Sequence, residues 1–283
     1  MSNKIKVYLH MNEEQRKIII RETFDKVSCD YDSNPLRFFS KSAKHMVSIL
    51  SLNGDENVLD VATGTGNAAL AIAECIPQGF VTGIDFSAGM LKQAREKAEL
   101  RSIENVTFIE TDMQAMDFTT DPFDVAVCAF GIFFVENMET QLSYIAKMVK
   151  PGGKIAICNF GEDYFNPLRS LMMTRLNTYD VQFPPQTWKR IAHESGCKEL
   201  FEKAGIQSVR TESKNMGYFL SDENDWWKII WNAGFRRLVS QLELSDLERF
   251  TSDHMQEIAA LSTKDGIWLD IDVLYTTGFV PMP

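Results

Sequence analysis

The chain of 283 residues has five cysteines, Cys29, Cys75, Cys128, Cys158 and Cys197, and no Cys-x-x-Cys pair among them. Their odd number and wide spacing speak against a disulfide framework or a thiolate metal centre, so reduced core thiols are expected. The four histidines, His10, His45, His193 and His254, lack ligand spacing as well, and no metal site is expected. Long apolar runs are missing: the longest, Val125 to Val135, falls short of the roughly 20 residues that cross a bilayer. Positive charge is scarce too, with 29 Lys and Arg against 39 Asp and Glu, a net charge of -10. A surface that neutralises phosphates needs the opposite balance, so a nucleic-acid partner is not expected. Met1-Ser2-Asn3-Lys4-Ile5-Lys6 carries no secretory apolar stretch, and the expected location is the cytoplasm.

What is present is a 45% hydrophobic content, enough for a sizeable core, arranged as alternating strand and helix signals from Asn57 to Phe160. Val58 to Val61, Phe80 to Ile84, Val106 to Ile109, Asp124 to Phe130 and Lys154 to Phe160 read as strands. Asn67 to Ile76, the stretch from an N-cap at Ser87 to Leu100, and Asn137 to Val149 read as the intervening helices, the last stopped by Pro151-Gly152-Gly153. The pattern predicts an α/β, Rossmann-like doubly wound sheet that binds its ligand at the carboxyl ends of the strands. Further on, the spacing predicts a helix over Thr187 to Ala204, a strand near Ser208 to Glu212, a helical stretch from Asp222 to Leu261 and a strand over Ile267 to Tyr275. Before the sheet, Asn12 and Gln15 have capping-box spacing at the start of a helix. Without repeats, low-complexity segments or a Gly/Ser linker, one domain is expected over 1–283. It comprises a helical lid (1–45), a core (46–220), a helical cap (221–264) and a last strand (265–283).

The segment Val58-Leu59-Asp60-Val61-Ala62-Thr63-Gly64-Thr65-Gly66-Asn67 is a strand that breaks into a glycine turn and then a helix. Gly64 and Gly66 let a ligand approach the backbone, and the helix start points amide groups at it. Gly64-Thr65-Gly66-Asn67-Ala68-Ala69 satisfies the relaxed G-x-G-x-x-A dinucleotide pattern, with Asp85 at the distance expected of a ribose-binding acid. Asp60 separates the possible adenosine ligands, because its carboxylate would repel a pyrophosphate and attract an ammonium or sulfonium.

With Asp60 in place the chain resembles the class I S-adenosylmethionine-dependent methyltransferases, on four motifs in order. These are Val58 to Gly66; Gly83-Ile84-Asp85-Phe86-Ser87 with Met90-Leu91; Glu110-Thr111-Asp112-Met113; and Val149-Lys150-Pro151-Gly152-Gly153-Lys154. Phe24 to Asp32 and Ala129-Phe130-Gly131-Ile132 are similar to the ubiquinone and menaquinone biosynthesis C-methyltransferases within that class. The chain departs from that subgroup where Phe133-Phe134 stands in place of Arg-Asn and where a Gly-x-His-Arg element is absent from Phe38 to His45.

The resemblance implies a cofactor, S-adenosyl-L-methionine, and a seven-stranded sheet. It also implies roles: Asp85 on the ribose hydroxyls, Asp60 facing the methionine ammonium, and Ala62, Thr63, Gly64 and Gly66 forming the turn against the ligand. Asp112 would accept from the adenine amino group, Met113 would offer its amide, Phe86 would cover the adenine face, and Met90 would belong to the cofactor site. Ala129 and Phe130 would lie beside the sulfonium, and Tyr31 would reach the methionine carboxylate. Beside these stand plainer readings: a helix-capping acid for Asp60, a loop acid for Asp112, core packing for Phe86 and a linker aromatic for Tyr31. Packing is the preferred reading of Trp226, Trp227, Trp231 and Phe235, while Phe133, Phe134, Met172, Met173 and Phe183 could be core or acceptor lining.

The expected activity is transfer of a methyl group to a small apolar or aromatic acceptor, on carbon or oxygen. Alternatives are a binding module of the same fold without transfer, or an N-methyltransferase acting on a lipid or amine; Asp60 disfavours a nicotinamide oxidoreductase. His45, His193 and Tyr31 are candidate bases without a motif, and no catalytic base is assigned. The expected partners are the small-molecule acceptor and a second copy in a homodimer.

Overall fold

A computed structural model describes residues 12–118 and 121–283. The opening Met1 to Lys6, His10 and the first 11 residues of the expected lid lie outside the described residues. The chain divides into two compact units.

The larger unit comprises Phe38–Glu162, Thr187–Met216 and Asp272–Pro283. Its frame is a seven-stranded sheet of β1 (Asn57–Val61), β2 (Phe80–Asp85), β3 (Val106–Glu110), β4 (Phe123–Ala129), β5 (Val149–Phe160), β6 (Gln207–Asn215) and β9 (Asp272–Phe279). The order is β3-β2-β1-β4-β5-β9-β6. The first five strands are parallel, whereas β9 runs antiparallel to both β5 and β6. Because β1 and β4 are covered on both faces, they are nearly continuous apolar runs, with Val58, Leu59, Val61, Ala126, Val127 and Cys128 all buried. This is the α/β, doubly wound architecture the alternating pattern predicts, with two added strands at one edge.

The helices of this unit follow local signals. α3 (Asn67–Ala73) starts from Gly66 in the left-handed region, φ 78°. α4 (Ala88–Leu100) is capped by Ser87, whose Oγ accepts from Met90 N at 3.1 Å. α5 (Met138–Ala146) is capped by Asn137, which accepts from Thr140 N at 2.9 Å. α2 (Phe38–Leu50), which begins within the expected lid and runs past its expected end at 45, carries a strongly apolar face, with Phe38, Ala43, Met46 and Leu50 buried. α7 (Glu194–Lys203) packs beside β6 and carries buried Cys197, Leu200 and Phe201.

Several expectations are corrected here. The helix over Thr187 to Ala204 is two pieces, a 3-10 turn over Thr187–Ile191 and then α7, broken at extended His193. The returning chain lies so close to Gly196 that a Cβ there would meet Arg190 O at 2.0 Å. Pro151-Gly152-Gly153 does not precede the fifth strand. β5 already starts at Val149, and its pairing with β4 jumps from Phe123–Val149 to Val125–Lys154 across those residues. The strand expected over Ile267 to Tyr275 divides at Asp270-Ile271: β8 (Ile267–Leu269) pairs outside the main sheet, and β9 pairs within it. Odd-numbered apolar residues run through both pieces, so alternation alone hid the break.

The smaller unit comprises residues 12–37, Asp163–Gln186 and Gly217–Ile271. α1 (Glu13–Val27) has the expected capping box, with Asn12 Oδ1 accepting from Gln15 N at 2.9 Å and Gln15 Oε1 from Asn12 N at 3.0 Å. The expected helical stretch Asp222 to Leu261 is three helices, α8 (Glu223–Trp231), α9 (Arg236–Val239) and α10 (Leu244–Ala259). It is interrupted around Gly234 and at extended Glu243. α6 (Leu168–Leu176) packs on α10, and β7 (Tyr218–Leu220) pairs with β8 in a two-stranded sheet. Among the described residues no helix is long and apolar enough to cross a membrane.

Candidate functional site

Four adjacent parallel strands end at the same edge of the sheet, and the expected ligand-binding residues of the larger unit follow them. Ala62 and Thr63 leave β1, Phe86 leaves β2, Asp112 and Met113 follow β3, and Phe130 follows β4. Asp60, Asp85 and Ala129 are the last or next-to-last residues of their strands, and Met90 is buried in the first turn of α4. Tyr31 belongs to the smaller unit, where its ring meets Phe24 edge-on at 6.1 Å.

The glycine turn is closed by backbone hydrogen bonds from Thr63 N to Ile84 O at 2.8 Å and from Gly66 N to Thr63 O at 2.9 Å. Gly64 has φ 55°, and a Cβ built there would meet nothing within 4 Å. That is an open cradle against bare backbone, the feature a ligand lying on the turn requires. Gly66 is different, since a Cβ there would meet Ala94 Cβ at 3.0 Å and Phe108 Cζ at 3.1 Å. Its lack of a side chain serves the packing of α3 on α4 and β3.

Asp60 is 1% exposed. Its Oδ2 accepts from Thr63 Oγ1 at 2.6 Å and from Ala69 N at 2.9 Å, which makes it a cap for the third residue of α3. The plainer reading of Asp60 therefore holds for one oxygen. Oδ1 is buried and has no hydrogen-bond partner. Burial pushes the carboxyl up to about 7, against the bonds from Thr63 and Ala69 and with added repulsion from Asp85. A buried acid with an idle oxygen is a group that could hold a cation.

Asp85 joins the turn to the end of β2, accepting from Gly64 N on Oδ2 and from Ser87 N on Oδ1, each at 2.9 Å. An ionised carboxylate offers two acceptor oxygens, the group that two neighbouring hydroxyls require. Asp112 accepts from Gln114 N on Oδ1 at 2.9 Å, and its carbonyl from Ala115 N at 2.8 Å. An idle buried oxygen at Asp60 and an open cradle at Gly64, with the Asp85 carboxylate at the end of the next strand, together fit an adenosine ligand that carries a positive charge.

Ala62 and Phe130 leave β1 and β4 in the left-handed region, φ 55° and 54°. For side chains other than glycine this costs on the order of 1 kcal/mol each, held here by packing. Gly131 seals the two strand ends together, since a Cβ there would lie 2.7 Å from Ala62 Cβ. Phe130 N stays tied to Cys158 O at 2.8 Å. Its ring joins a cluster that sequence reasoning missed, lying 4.6 Å from Phe160 and 5.2 Å from Phe39 between ring centres, with Phe38 against all three. The only sequence signals were the Phe38-Phe39 doublet and an aromatic at the end of a predicted strand.

The remaining candidates have other occupations. His45 Nε2 lies 2.5 Å from Glu212 Oε1, and its Nδ1 lies 3.1 Å from Lys214 Nζ. Exposed His193 pairs with Glu162 at 3.1 Å. Phe133 and Phe134 form a 3-10 turn after Phe130 and are half-buried. In the smaller unit Trp226 is fully buried, donating from Nε1 to His254 Nε2 at 3.0 Å, in accord with the packing reading. Trp227 and Trp231 stack at 5.6 Å, Met172 is buried, and Met173 and Phe183 are half-buried. All five cysteines are free thiols, but Cys29 and Cys75 are exposed, against the expectation of core positions; burial pushes the thiols of Cys128 and Cys158 up, as befits inert core residues.

Residues 58–153 match the family model described as a methyltransferase domain. The chain is 33% identical over 155 residues to the ubiquinone/menaquinone biosynthesis C-methyltransferase UbiE of Bdellovibrio bacteriovorus, a match spanning 53% of this chain and 66% of that relative. It is 28% identical over 222 residues to the demethylmenaquinone methyltransferase of Listeria welshimeri, spanning 72% of this chain and 94% of the relative. Among solved structures, the YcgJ protein of Bacillus subtilis shares the fold, with a TM-score of 0.59 at 17% identity over 86% of this chain and 99% of that one.

Proposed function

We propose a quinone-type ring acceptor for this chain, which belongs to the class I S-adenosylmethionine-dependent methyltransferases and takes its methyl group from S-adenosylmethionine. The bound donor supplies a methyl group already activated on sulfur, for in-line displacement by a nucleophile. The chain's residues then have to hold the acceptor atom collinear with that methyl group and keep water out, a positioning effect worth about 7 to 11 kcal/mol. In this reading Asp60 faces the methionine ammonium and Asp85 the ribose hydroxyls. The Ala62 to Gly66 turn lies under the ligand, Asp112 and Met113 read the adenine, and Phe86 and Met90 flank it. Ala129 and Phe130 border the sulfonium.

The observation that carries the acceptor class is the ring cluster of Phe38, Phe39, Phe130 and Phe160 at the ends of β4 and β5. A flat apolar ring stacks on such rings, whereas a polar amine would lose hydration there. The names of the two relatives, a ubiquinone/menaquinone biosynthesis C-methyltransferase and a demethylmenaquinone methyltransferase, support the same class, and the first supports methylation on carbon. Phe133-Phe134 adds apolar surface in the turn after β4, and no side chain is assigned as base.

Free thiols support a cytoplasmic location, and the net charge of -10 supports the absence of a nucleic-acid partner. β3, an edge strand with exposed Ile109, is the surface at which a homodimer would form, and light scattering tests it. The two units are proposed to act as one methyltransferase domain.

The deciding experiment offers methyl-labelled S-adenosylmethionine with a short-chain demethylated naphthoquinol and extracts the product into organic solvent. Label on a ring carbon is the expected result. Tight cofactor binding without transfer to the quinol would overturn the acceptor class, and absence of cofactor binding would overturn the residue roles.

A further inference from the structure

The loop that follows β3 carries Asp112 and Met113, and it is held from outside by one helix. Gln141 of α5, 4% exposed, donates from Nε2 to Met113 O at 2.8 Å. One turn along the helix, Tyr144 Oη donates to Met116 O. Gln141 occupies an apolar-stripe position, with Met138, Leu142 and Ile145 buried around it. A polar side chain on a buried stripe needs a partner, and here the partner is the loop's backbone.

The consequence for Met113 is geometric. A peptide unit is planar, so fixing its carbonyl fixes the amide in the same plane. The plane before Met113, which includes its N–H, is fixed by Ala115 N donating to Asp112 O at 2.8 Å. The plane after it is fixed by Gln141. Tyr144 holds the far end of the same turn, and α5 is itself anchored by Ser143 Oγ donating to Ala204 O at 3.0 Å.

We infer that Gln141 and Tyr144 are positioning residues that hold the loop carrying Asp112 and Met113, and through it the Met113 amide, for adenine recognition, and with it the preference for a 6-aminopurine over a 6-oxopurine. This rests on the reading that Asp112 and Met113 face the adenine. A solvent-open groove of about 480 Å³ lies against both side chains, bounded also by Gln114, Thr140, Ser143 and Lys147. Removing a donor there admits water and leaves no dry void, so loop geometry changes more than the fold does.

The test uses the full chain with Gln141→Met, which keeps length and loses the donor, and Tyr144→Phe, which loses one hydroxyl. Calorimetry measures the affinity for S-adenosylhomocysteine and for its hypoxanthine counterpart. The expected result is an adenine-ligand affinity about tenfold lower, with less than about threefold change for the hypoxanthine ligand and an unchanged thermal midpoint. An unchanged adenine-to-hypoxanthine ratio in both variants overturns the inference. So does an equal loss for both ligands with a lowered midpoint, the mark of a structural role. Should Gln141→Met fail to fold, Tyr144→Phe decides alone. Asp112→Ala separates the levels: if it keeps adenine preference, the adenine reading itself fails; if it abolishes preference while the α5 variants keep it, only the positioning role fails.

Discussion

The carboxylate of Asp60 caps the helix that starts at the glycine turn, with Oδ2 2.9 Å from Ala69 N, while its other oxygen is buried and idle. One acid thus ties strand to helix and holds a half-empty polar position at the point where they meet. Its pKa of about 7 gives this a measurable consequence. In the unfolded chain the group titrates near 4. Between those values the folded protein keeps a proton the unfolded chain has lost. The contribution to stability is therefore complete below about pH 4, falls as pH rises, and is gone above about pH 7, a range on the order of 4 kcal/mol. An ammonium placed beside Asp60 reverses the preference and favours the ionised acid. Cofactor binding at pH 6 is then expected to release about one proton, and affinity should rise toward pH 8. Calorimetry in two buffers of different ionisation enthalpy reads this directly. Asp60→Asn should abolish the release; wild type binding with no proton release at pH 6 would remove the ammonium from this site.

Gly64 and Gly66 respond oppositely to a side chain. At Gly64 a Cβ meets open space, so Gly64→Val should fold, losing only the roughly 1 to 2 kcal/mol of a left-handed non-glycine residue. Its cofactor affinity should fall by about 100-fold, because the branched side chain stands where a ligand meets the backbone. Gly66→Val pushes against Ala94 and Phe108 and should lower the melting temperature far more. Melting curves with and without S-adenosylhomocysteine distinguish the two. Ligand stabilisation surviving in Gly64→Val would show that the cradle is not the binding surface.

The sheet was legible because each parallel strand is a short apolar run closed by its own turn or cap, Val58 to Gly66 and Phe80 to Ser87 above all. The acids at the strand ends were legible for the same reason, being polar residues that end apolar runs. What stayed hidden depends on contacts distant in sequence. The Phe38, Phe39, Phe130 and Phe160 cluster joins three separate segments, and the break at Asp270-Ile271 is set by which sheet each half pairs with. Gln141 left a faint signal as a polar residue on an apolar stripe. The carbonyl it binds lies 28 residues away, and nothing in the helix points to it.

If the ring cluster receives the acceptor, its half-buried members should govern acceptor affinity alone. Phe39→Leu and Phe160→Leu keep an apolar side chain and remove the ring faces, so acceptor KM should rise by about 5- to 10-fold per ring, the scale of an aromatic contact. Cofactor affinity should stay within about twofold. Steady-state kinetics with each substrate varied in turn, alongside calorimetry with S-adenosylhomocysteine, measures the split. Equal losses for donor and acceptor would reassign these rings to packing of α2 on the sheet.

The helical unit carries its own acid sensitivity at His254. This side chain is fully buried; Nε2 accepts from Trp226 Nε1 at 3.0 Å, and Nδ1 lies 3.2 Å from Glu257 Oε2. Only the neutral ring with its proton on Nδ1 satisfies both contacts. Burial holds its pKa below the usual histidine range, against the pull of Glu257 and with Arg175 assisting. A depressed histidine contributes stability that is present above the unfolded value near 6.5 and is lost as pH falls toward the folded one. Below about pH 6 the unit should loosen, with Trp226 fluorescence shifting red as its indole loses its acceptor. His254→Gln retains an amide oxygen for Trp226 and removes the titration, so the fluorescence should then stay flat between pH 7 and pH 5. Trp226→Phe strands the buried Nε2 lone pair and should cost about 1 to 3 kcal/mol at neutral pH, read by urea unfolding. A wild-type protein whose unfolding midpoint does not move over that pH range would exclude His254 as the source of acid sensitivity.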